Sequence, residues 1–301
     1  MISLGEFYAL ICALCWAFAV VLFKHAGNSL SASGLNLTKN LVGVLLLIPT
    51  SLLVEGFSFP NLLFNQWLIV IASGYFGLAL ADTWYLQALR NLGAGRTAIV
   101  ASLYSPFVIV LSIFYLGERL ALWQWTGFVL VIIGVFIVSY QRRYQSVERA
   151  VLLKGIAYAA CSVFVTAASV VVMKPVLDND GFFWIVTLRM MAGVTGMIIY
   201  LHLTKRLTSI ISDIRYKEHK WGVILLASLF GTYLAIIFWL AGFKYADASI
   251  ASVLNETSNV MIVLFAWLFL KEALTISKVV GAIFTFIGVL IFMGLVSFGV
   301  A

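Results

Sequence analysis

The sequence predicts an all-α membrane protein with ten transmembrane helices, arranged as two inverted five-helix repeats. Three observations predict this fold: the composition, ten long apolar segments, and a similarity between the two halves of the chain. Hydrophobic residues make up 63% of the 301 residues and charged residues 10%, with a mean hydropathy of +1.08. Soluble domains carry roughly 25% charged residues, so the composition excludes a water-soluble globular protein.

Ten segments are apolar and long enough to cross about 30 Å of hydrocarbon at about 1.5 Å per residue. We predict them near 6–24, 34–54, 67–89, 95–115, 122–140, 153–175, 182–203, 221–243, 248–269 and 277–297. The connections between them are short and leave no room for a separate soluble domain. The longest connection, 204–220, is expected to be a solvated connector, with a partly amphipathic surface helix as the alternative.

The two halves of the chain repeat each other at fixed shifts of 154 and 150 positions. The equivalent pairs include Gly77 and Gly231, Glu118 and Glu272, Lys24 and Lys174, and Lys39 and Arg189. We therefore divide the chain into a first repeat, 1–145, and a second repeat, 150–301. Because each repeat holds an odd number of spans, the second must enter the membrane from the opposite face. Inverted repeats of this kind are typical of secondary transporters.

Positive charges are distributed unevenly between the two predicted faces of the bundle. Of 19 Lys and Arg residues, Lys39 and Arg189 lie inside spans, and Arg119, Lys174 and Lys244 fall on one face. The other face, called the basic face below, has Lys24, Arg90, Arg96, Arg142, Arg143, Arg149, Lys154, Lys205, Arg206, Arg215, Lys217, Lys220, Lys271 and Lys278. This bias predicts a cytoplasmic basic face and, with ten spans, two termini outside. The net charge of +7 is therefore attributed to topology and not to a nucleic-acid partner.

Glycine spacing marks the fifth and tenth spans as packing surfaces. Gly127 and Gly134 are seven residues apart, as are Gly281 and Gly288, so each pair lines one helix face. Small residues let membrane helices approach closely. We expect these faces to pack within the chain or between two copies, which makes a homodimer through spans five and ten a candidate assembly.

One block of sequence recurs in both halves. LGERLALWQWTGFVLVIIGV at 116–135 is echoed by LKEALTISKVVGAIFTFIGV at 270–289, an acidic span end followed by a span with fixed glycine spacing. With Trp16, Lys24 and Pro106, this block resembles the drug/metabolite transporter superfamily, specifically its EamA-type ten-helix members. The resemblance implies a cavity formed by the first four helices of each half, peripheral spans five and ten, and transport by alternating access. Span nine departs from the pattern because it lacks a proline at position 260.

Four ionisable residues fall within the predicted spans: Lys39, Asp82, Arg189 and Glu256. A charge at the bilayer centre costs about 2.5–3.5 kcal/mol on insertion scales, so such residues usually face a cavity or a partner. Their depths in the predicted spans match in two pairs, Lys39 with Asp82 and Arg189 with Glu256. The two cations recur in the repeat, whereas Asp82 aligns with Ile236 and Glu256 with Ser102. We interpret the unmatched acids as candidates for proton coupling or solute binding, with structural ion pairs as the alternative.

Polar and aromatic residues near these charges complete the candidate site. The candidates for solute binding or coupling are Lys39, Asp82, Trp84, Tyr85, Arg189, Trp239, Asn255, Glu256 and Asn259. Trp84 and Trp239 could instead be interfacial anchors, and we predict that role for Trp67, Trp123, Trp125, Trp184 and Trp221. The three histidines show no metal-ligand spacing, so no metal or cofactor is predicted.

The sequence supports one leading functional hypothesis and two alternatives. The leading hypothesis is a secondary-active transporter of the cell inner membrane that exports a small organic metabolite, such as an amino acid, in exchange for protons. The first alternative is an obligate exchanger of anionic metabolites, with Lys39 and Arg189 gripping a carboxylate on the solute. The second is a non-transporting membrane scaffold or enzyme. An enzyme finds little support, because the chain has no phosphate-binding glycine loop and no nucleophile elbow.

Overall fold

The computed structural model describes residues 2–26, 30–92, 97, 100–139, 148–179, 181–216, 218–271 and 275–294. These residues form helices and connecting segments, with no β-strand among them. The helices are α1 (Leu4–Ala26), α2 (Ala32–Glu55), α3 (Phe64–Leu92), α4 (Tyr104–Leu116), α5 (Leu122–Ser139), α6 (Arg149–Leu177), α7 (Phe182–Leu203), α8 (Leu207–Tyr216), α9 (Trp221–Tyr245), α10 (Ala248–Asn255, then Thr257–Leu270) and α11 (Ile276–Phe292). The all-helical prediction is confirmed over the described residues.

Seven of these helices are long and apolar enough to cross a membrane, and α4, α5 and α11 are shorter apolar helices. Together with the comparisons reported below, they identify a multi-pass membrane protein. The predicted count of ten crossings stays a prediction. Several residues used in the sequence argument lie outside the described part of the chain, namely Arg96, Arg142, Arg143, Lys217 and Glu272.

The helices at predicted spans four and nine, 95–115 and 248–269, are both interrupted. The interruption before α4 lies at Ser102 and Leu103, and the one in α10 lies at Glu256, the residue equivalent to Ser102. Pro106 has no N–H with which to bond the carbonyl of residue 102, four positions earlier. In α10 the backbone tightens instead, because the Glu256 N–H donates to the Val253 carbonyl at 3.1 Å. The break therefore recurs in the half that lacks the proline.

Helices α3 and α9 each contain a wide π-helical segment, over Gly74–Ala81 and Leu229–Leu234 respectively. The Asp82 N–H bonds the Gly77 carbonyl, and the Ala235 N–H bonds the Phe230 carbonyl, each five residues earlier. The two segments occupy equivalent positions in the repeats. Such segments are uncommon and frequently accompany functional sites.

The two halves are joined by an exchange of their first helices. Helix α1 of the first half packs against α9 and α10 of the second, and α6 of the second half packs against α3 and α4 of the first. Helices α2 and α7 contact each other between these two groups. The centre of the bundle is therefore built from both halves.

The glycine faces of α5 and α11 pack against each other within the chain. A Cβ on Gly127 would lie 2.7 Å from the Gly288 carbonyl oxygen, and one on Gly288 would lie 2.8 Å from the Gly127 carbonyl oxygen. Of the two alternatives left by the sequence, packing within the chain is the one observed. A homodimer through spans five and ten would have to use other faces of these helices.

Two predictions about the periphery need correction. The connector after α7 contains an amphipathic helix, α8, whose buried Ile210 packs with Leu37 and Leu201. Trp184 is not an interfacial anchor, because it is only 5% exposed and its Nε1 donates to the Gly56 carbonyl at 3.0 Å. Both contacts depend on neighbouring helices, which sequence periodicity does not specify.

Candidate solute-binding cavity

A cavity of about 230 Å³ lies where the two halves of the bundle meet. Helices α1, α2, α3, α4, α6, α9 and α10 contribute to its lining, and α5 and α11 do not. This arrangement agrees with the cavity implied by the family resemblance except at α7, which provides none of the lining side chains. The key residue of that helix, Arg189, lies behind the cavity surface.

Lys39 and Asp82 form the predicted ion pair on the cavity surface. The Lys39 Nζ lies 2.6 Å from Asp82 Oδ2, and their side chains are 7% and 26% exposed. Lys39 Nζ also donates to Asn40 Oδ1 at 3.2 Å, and Asn40 Nδ2 donates to Asn36 Oδ1 at 3.0 Å. Asn36 in turn donates to the Leu78 carbonyl at 2.9 Å, inside the π-helical segment of α3. A chain of hydrogen bonds thus connects the ion pair to the Leu78 carbonyl of the π-helical segment.

The second predicted pair, Arg189 with Glu256, does not form. Glu256 is 4% exposed and lines the cavity at the break in α10. Its carboxylate accepts hydrogen bonds from Ser105 Oγ at 2.8 Å and from Asn259 Nδ2 at 2.9 Å. No cationic nitrogen of the described residues lies within 4 Å of it. Glu256 is therefore a buried carboxylate with hydrogen-bond donors and no cation partner.

Arg189 is fully buried and is held by hydroxyls and an aromatic ring instead of a carboxylate. Its Nε donates to Ser73 Oγ at 3.1 Å, and a terminal nitrogen donates to Ser169 Oγ at 3.4 Å. The guanidinium carbon lies 5.2 Å from the centre of the Trp239 ring, a cation–π contact. Its other terminal nitrogen has no hydrogen-bond partner among the described residues.

The aromatic candidates divide between two places in the structure. Tyr85 and Trp239 line the central cavity, together with Tyr104, whose hydroxyl accepts from Trp239 Nε1 at 3.3 Å. Trp84 lines a different cavity, at the basic face. We therefore correct the prediction that Trp84 belongs with Tyr85 at the central site. Consecutive helical residues point about 100° apart, and on this turn of α3 the Tyr85 side chain faces the central cavity whereas the Trp84 side chain faces the other one.

Asn255 and Asn259 line the cavity as predicted, and several residues that were not predicted line it too. The missed polar and aromatic lining residues are Trp16, Asn40, Tyr104, Ser162, Thr166, Thr232 and Ser258. Among the described residues, Thr232 Oγ1 and both polar atoms of the Asn255 side chain have no hydrogen-bond partner. Asn36 and Asn40 could have been found, because they lie one turn apart beside a charge in an otherwise apolar span.

The helix ends on the face opposite the basic face are joined by a buried charge cluster. The Glu118 carboxylate accepts from the Ala248 N–H at 2.6 Å and the Ser249 N–H at 3.0 Å, and lies 3.8 Å from Lys174 Nζ. Lys174 donates to the Phe243 carbonyl at 3.0 Å and to that of Ala246. Between these helix ends, partial burial and the Glu118 carboxylate raise the pKa of Asp247, which Lys174 opposes.

Comparison with known proteins gives matches over nearly the whole chain. A family model described as the EamA-like transporter family matches residues 3–140 and again 153–294. A protein of Archaeoglobus fulgidus named "Uncharacterized transporter" is 22% identical over 288 residues, covering 95% of this chain and 96% of that protein. "Uncharacterized transporter YyaM" of Bacillus subtilis is 29% identical over 142 residues, covering 46% of this chain and 45% of that protein.

A solved crystal structure shows the same fold as this chain. It superposes with a TM-score of 0.77 at 15% sequence identity, covering 97% of this chain and 96% of the other.

Proposed function

The chain belongs to the EamA-like transporter family, and on that premise we propose a secondary-active transporter of the cell inner membrane. Its solute is a small organic metabolite such as an amino acid, moved outward in exchange for protons by alternating access. The observation that carries the proposal is Glu256, a buried carboxylate without a cation partner on the surface of the central cavity. The outward direction rests on the family resemblance.

Contacts between helix ends support ten crossings with inverted halves. Glu55, at the end of α2, accepts from the Phe183 and Trp184 N–H groups at the start of α7, both at 3.0 Å. On the basic face, Arg90 donates to the Leu30 carbonyl, and Lys220 donates to the His25 carbonyl. Each contact joins helix ends that the ten-span topology assigns to the same face, as does the cluster of Glu118 and Lys174.

The size of the cavity favours a small solute. Ligand pockets commonly measure about 300–1,000 Å³, and this cavity, at about 230 Å³, lies below that range. It therefore suits a small metabolite, such as a small amino acid, better than a large one. The free hydrogen-bonding atoms of Thr232 and Asn255 suit a polar solute, because such buried groups are costly unless they are paired.

The charges on the cavity surface favour a zwitterion or a cation over an anion. Lys39 is neutralised by Asp82, so Glu256 leaves the lining with an excess negative charge. A proton or a cationic group of the solute can neutralise Glu256, and the two exclude each other at one carboxylate. Such competition couples proton movement to solute movement in opposite directions.

The anion-exchanger alternative finds less support in this arrangement. It needs Lys39 and Arg189 as free cations, but the first is paired with Asp82 and the second lies behind Trp239. A non-transporting scaffold would be favoured if all four intramembrane charges were paired with one another. The absence of a carboxylate–guanidinium contact between Glu256 and Arg189 favours a transporter over a scaffold.

The first experiment is a thermal-shift screen of the purified protein against the twenty amino acids individually. A bound ligand stabilises the folded state by mass action, so we expect at least one amino acid to raise the Tm. In proteoliposomes with an internal pH dye, a gradient of that amino acid should move protons the other way. Glu256→Gln should lose the proton movement while still exchanging labelled for unlabelled amino acid.

Glu218→Gln is the matched control, because Glu218 is an exposed acid in a connector and its substitution should leave both signals unchanged. The proposal fails if proton movement survives in the Glu256→Gln variant. Uptake that needs solute on the far side but ignores a pH gradient would instead support the anion-exchanger alternative.

A further inference from the structure

A second cavity, of about 400 Å³, lies between α3, α6 and α7 at the basic face. Among the described residues, it shares none of its lining with the central cavity. Trp84, Gln87 and Asn91 line it from α3, Lys154 lines it from α6, and Arg206 follows α7. The proposed transport function does not use this cavity.

The chemistry of this basic-face cavity suits an anion with several oxygen atoms. Lys154 and Arg206 are exposed, and neither forms a salt bridge with a carboxylate of the described residues. None of the described lining residues is acidic. Lys154 Nζ lies 5.9 Å from the centre of the Tyr158 ring, a contact that leaves its N–H donors free. Unpaired Lys and Arg groups recognise phosphate oxygens, and Arg does so with two parallel hydrogen bonds.

In the equivalent place in the other half of the molecule, apolar and aromatic residues stand where the basic-face cavity has polar ones. The positions equivalent to Lys154, Arg206, Gln87, Asn91 and Trp84 hold Leu4, Gly56, Ala241, Tyr245 and Phe238. There, the Tyr8 ring packs against Phe238 at 5.9 Å and against Tyr245 at 6.0 Å between ring centres. A half can therefore be built without these polar residues, so their presence on the basic face is not required by the scaffold.

The position of the cavity favours a lipid over a soluble anion. Val151 and Tyr200, which also line it, are 37% and 42% exposed on helix sides near the basic ends of α6 and α7. Trp84, Tyr158 and Tyr200 provide aromatic rings of the kind that lies at the headgroup level of membranes. Basic pockets between transmembrane helices on the cytoplasmic side suit acidic headgroups.

We propose that this cavity binds the headgroup of an anionic phospholipid of the cytoplasmic leaflet, with its phosphate held by Lys154 and Arg206. The lipid joins α3 of the first half to α6 and α7 of the second on the basic face. Bound lipid would then stabilise the packing between the two halves.

The test measures the Tm of the purified, delipidated protein with added phosphatidylglycerol, phosphatidylcholine or inorganic phosphate. We expect phosphatidylglycerol to raise the Tm by several degrees more than phosphatidylcholine. Lys154→Leu, which copies the other repeat, combined with Arg206→Gln should abolish that difference. Arg215→Gln removes an exposed charge from the same face outside the cavity and should retain it.

Three results would overturn the proposal. The first is an equal response of the wild-type protein to the two lipids. The second is a full phosphatidylglycerol effect in the double variant or, if that variant does not fold, in Lys154→Gln alone. The third is a complete effect from inorganic phosphate to which the lipid adds nothing, since this would identify a soluble-anion site.

Discussion

At the scale of single residues, Glu118 and Lys174 bond backbone groups that helix ends leave unpaired. The first N–H groups and last carbonyls of a helix have no partner within the helix. Glu118 bonds the free N–H groups of Ala248 and Ser249 at the start of α10. Lys174 bonds carbonyls at the end of α9, and both charges complement the helix dipoles. Two side chains, Glu118 just after the end of α4 and Lys174 of α6, thereby hold the turn between α9 and α10.

Glu118→Ala is therefore expected to destabilise the protein by about 2–3 kcal/mol, since it leaves buried donors without an acceptor. Glu118→Gln should cost less, because an amide oxygen still accepts one of the hydrogen bonds. Thermal unfolding in detergent measures both, with Glu218→Ala as the control for loss of an exposed acid. A Glu118→Ala variant that unfolds at the same temperature as Glu218→Ala would contradict the role assigned to this cluster.

The residue pairs show how far depth along a helix can predict a site. Lys39 and Asp82 were paired from their depths, and they form an ion pair at 2.6 Å. The same reasoning paired Arg189 with Glu256 and was wrong. Depth gives a height in the membrane but not the direction in which a side chain points around the helix. Arg189 instead donates hydrogen bonds to Ser73 and Ser169. The equivalent positions in the other half hold Ala227 and Ala19, which have no hydroxyl groups, so the repeat gave no hint of these contacts.

At the scale of helices, the irregular backbone of the protein follows the repeat. The π-helical segments of α3 and α9 are equivalent, and so are the breaks at Ser102 and Glu256. All four adjoin the central cavity, where Asp82, Ala101, Gly231 and Glu256 contribute to the lining. Hydrophobic periodicity predicts that these helices exist but not where a turn widens, because a π-helical turn and an α-helical turn can carry the same apolar residues.

The contact between α5 and α11 provides a direct test of the glycine pattern. A Cβ on Gly134 would lie 2.5 Å from the Thr285 backbone nitrogen and 2.7 Å from the Gly281 carbonyl oxygen. Backbone atoms cannot rotate away, so Gly134→Ala must separate the two helices. Overpacking of this kind costs about 1–3 kcal/mol, and we expect a corresponding loss in unfolding experiments.

Gly222→Ala is the matched control, because nothing lies within 4 Å of its added Cβ. Alanine favours a helix over glycine by about 1 kcal/mol, so this variant should be as stable as the wild type or more stable. If Gly134→Ala also retains full stability, the close packing of α5 against α11 is not required for the fold.

At the scale of the whole molecule, the repeat separates residues that build the scaffold, which occur in both halves, from candidate functional residues, which occur in one half. The glycines and helix irregularities occur in both halves and build the bundle. Asp82, Glu256 and the cations of the basic-face cavity occur in one half only. The sequence alone identified the unmatched acids, but it missed the second cavity. That cavity is a gap between α3, α6 and α7. A gap between packed helices depends on how they are arranged in space, which a single sequence does not specify.

The inverted arrangement depends on α4 and α5, the two shorter helices of the first half. Six helices, α3 to α8, lie between residue 57 and residue 218, and five of them, α3 to α7, are candidate crossings, whereas the amphipathic α8 is not. If all five cross the membrane, the two positions lie on opposite sides. If only one of α4 and α5 crosses, they lie on the same side. Residue 119, between α4 and α5, lies on the side of residue 57 only when α3 and α4 both cross or both fail to cross.

Single cysteines at these exposed positions, Phe57→Cys, Arg119→Cys and Glu218→Cys, test this arrangement in a background without Cys12, Cys15 and Cys161. We expect a membrane-impermeant maleimide to label positions 57 and 119 in intact cells and position 218 only after lysis, because the basic face is predicted to be cytoplasmic. The reverse pattern would invert the orientation but keep the fold. Labelling of positions 57 and 218 from one side would overturn the five crossings between them, and with them the inverted topology.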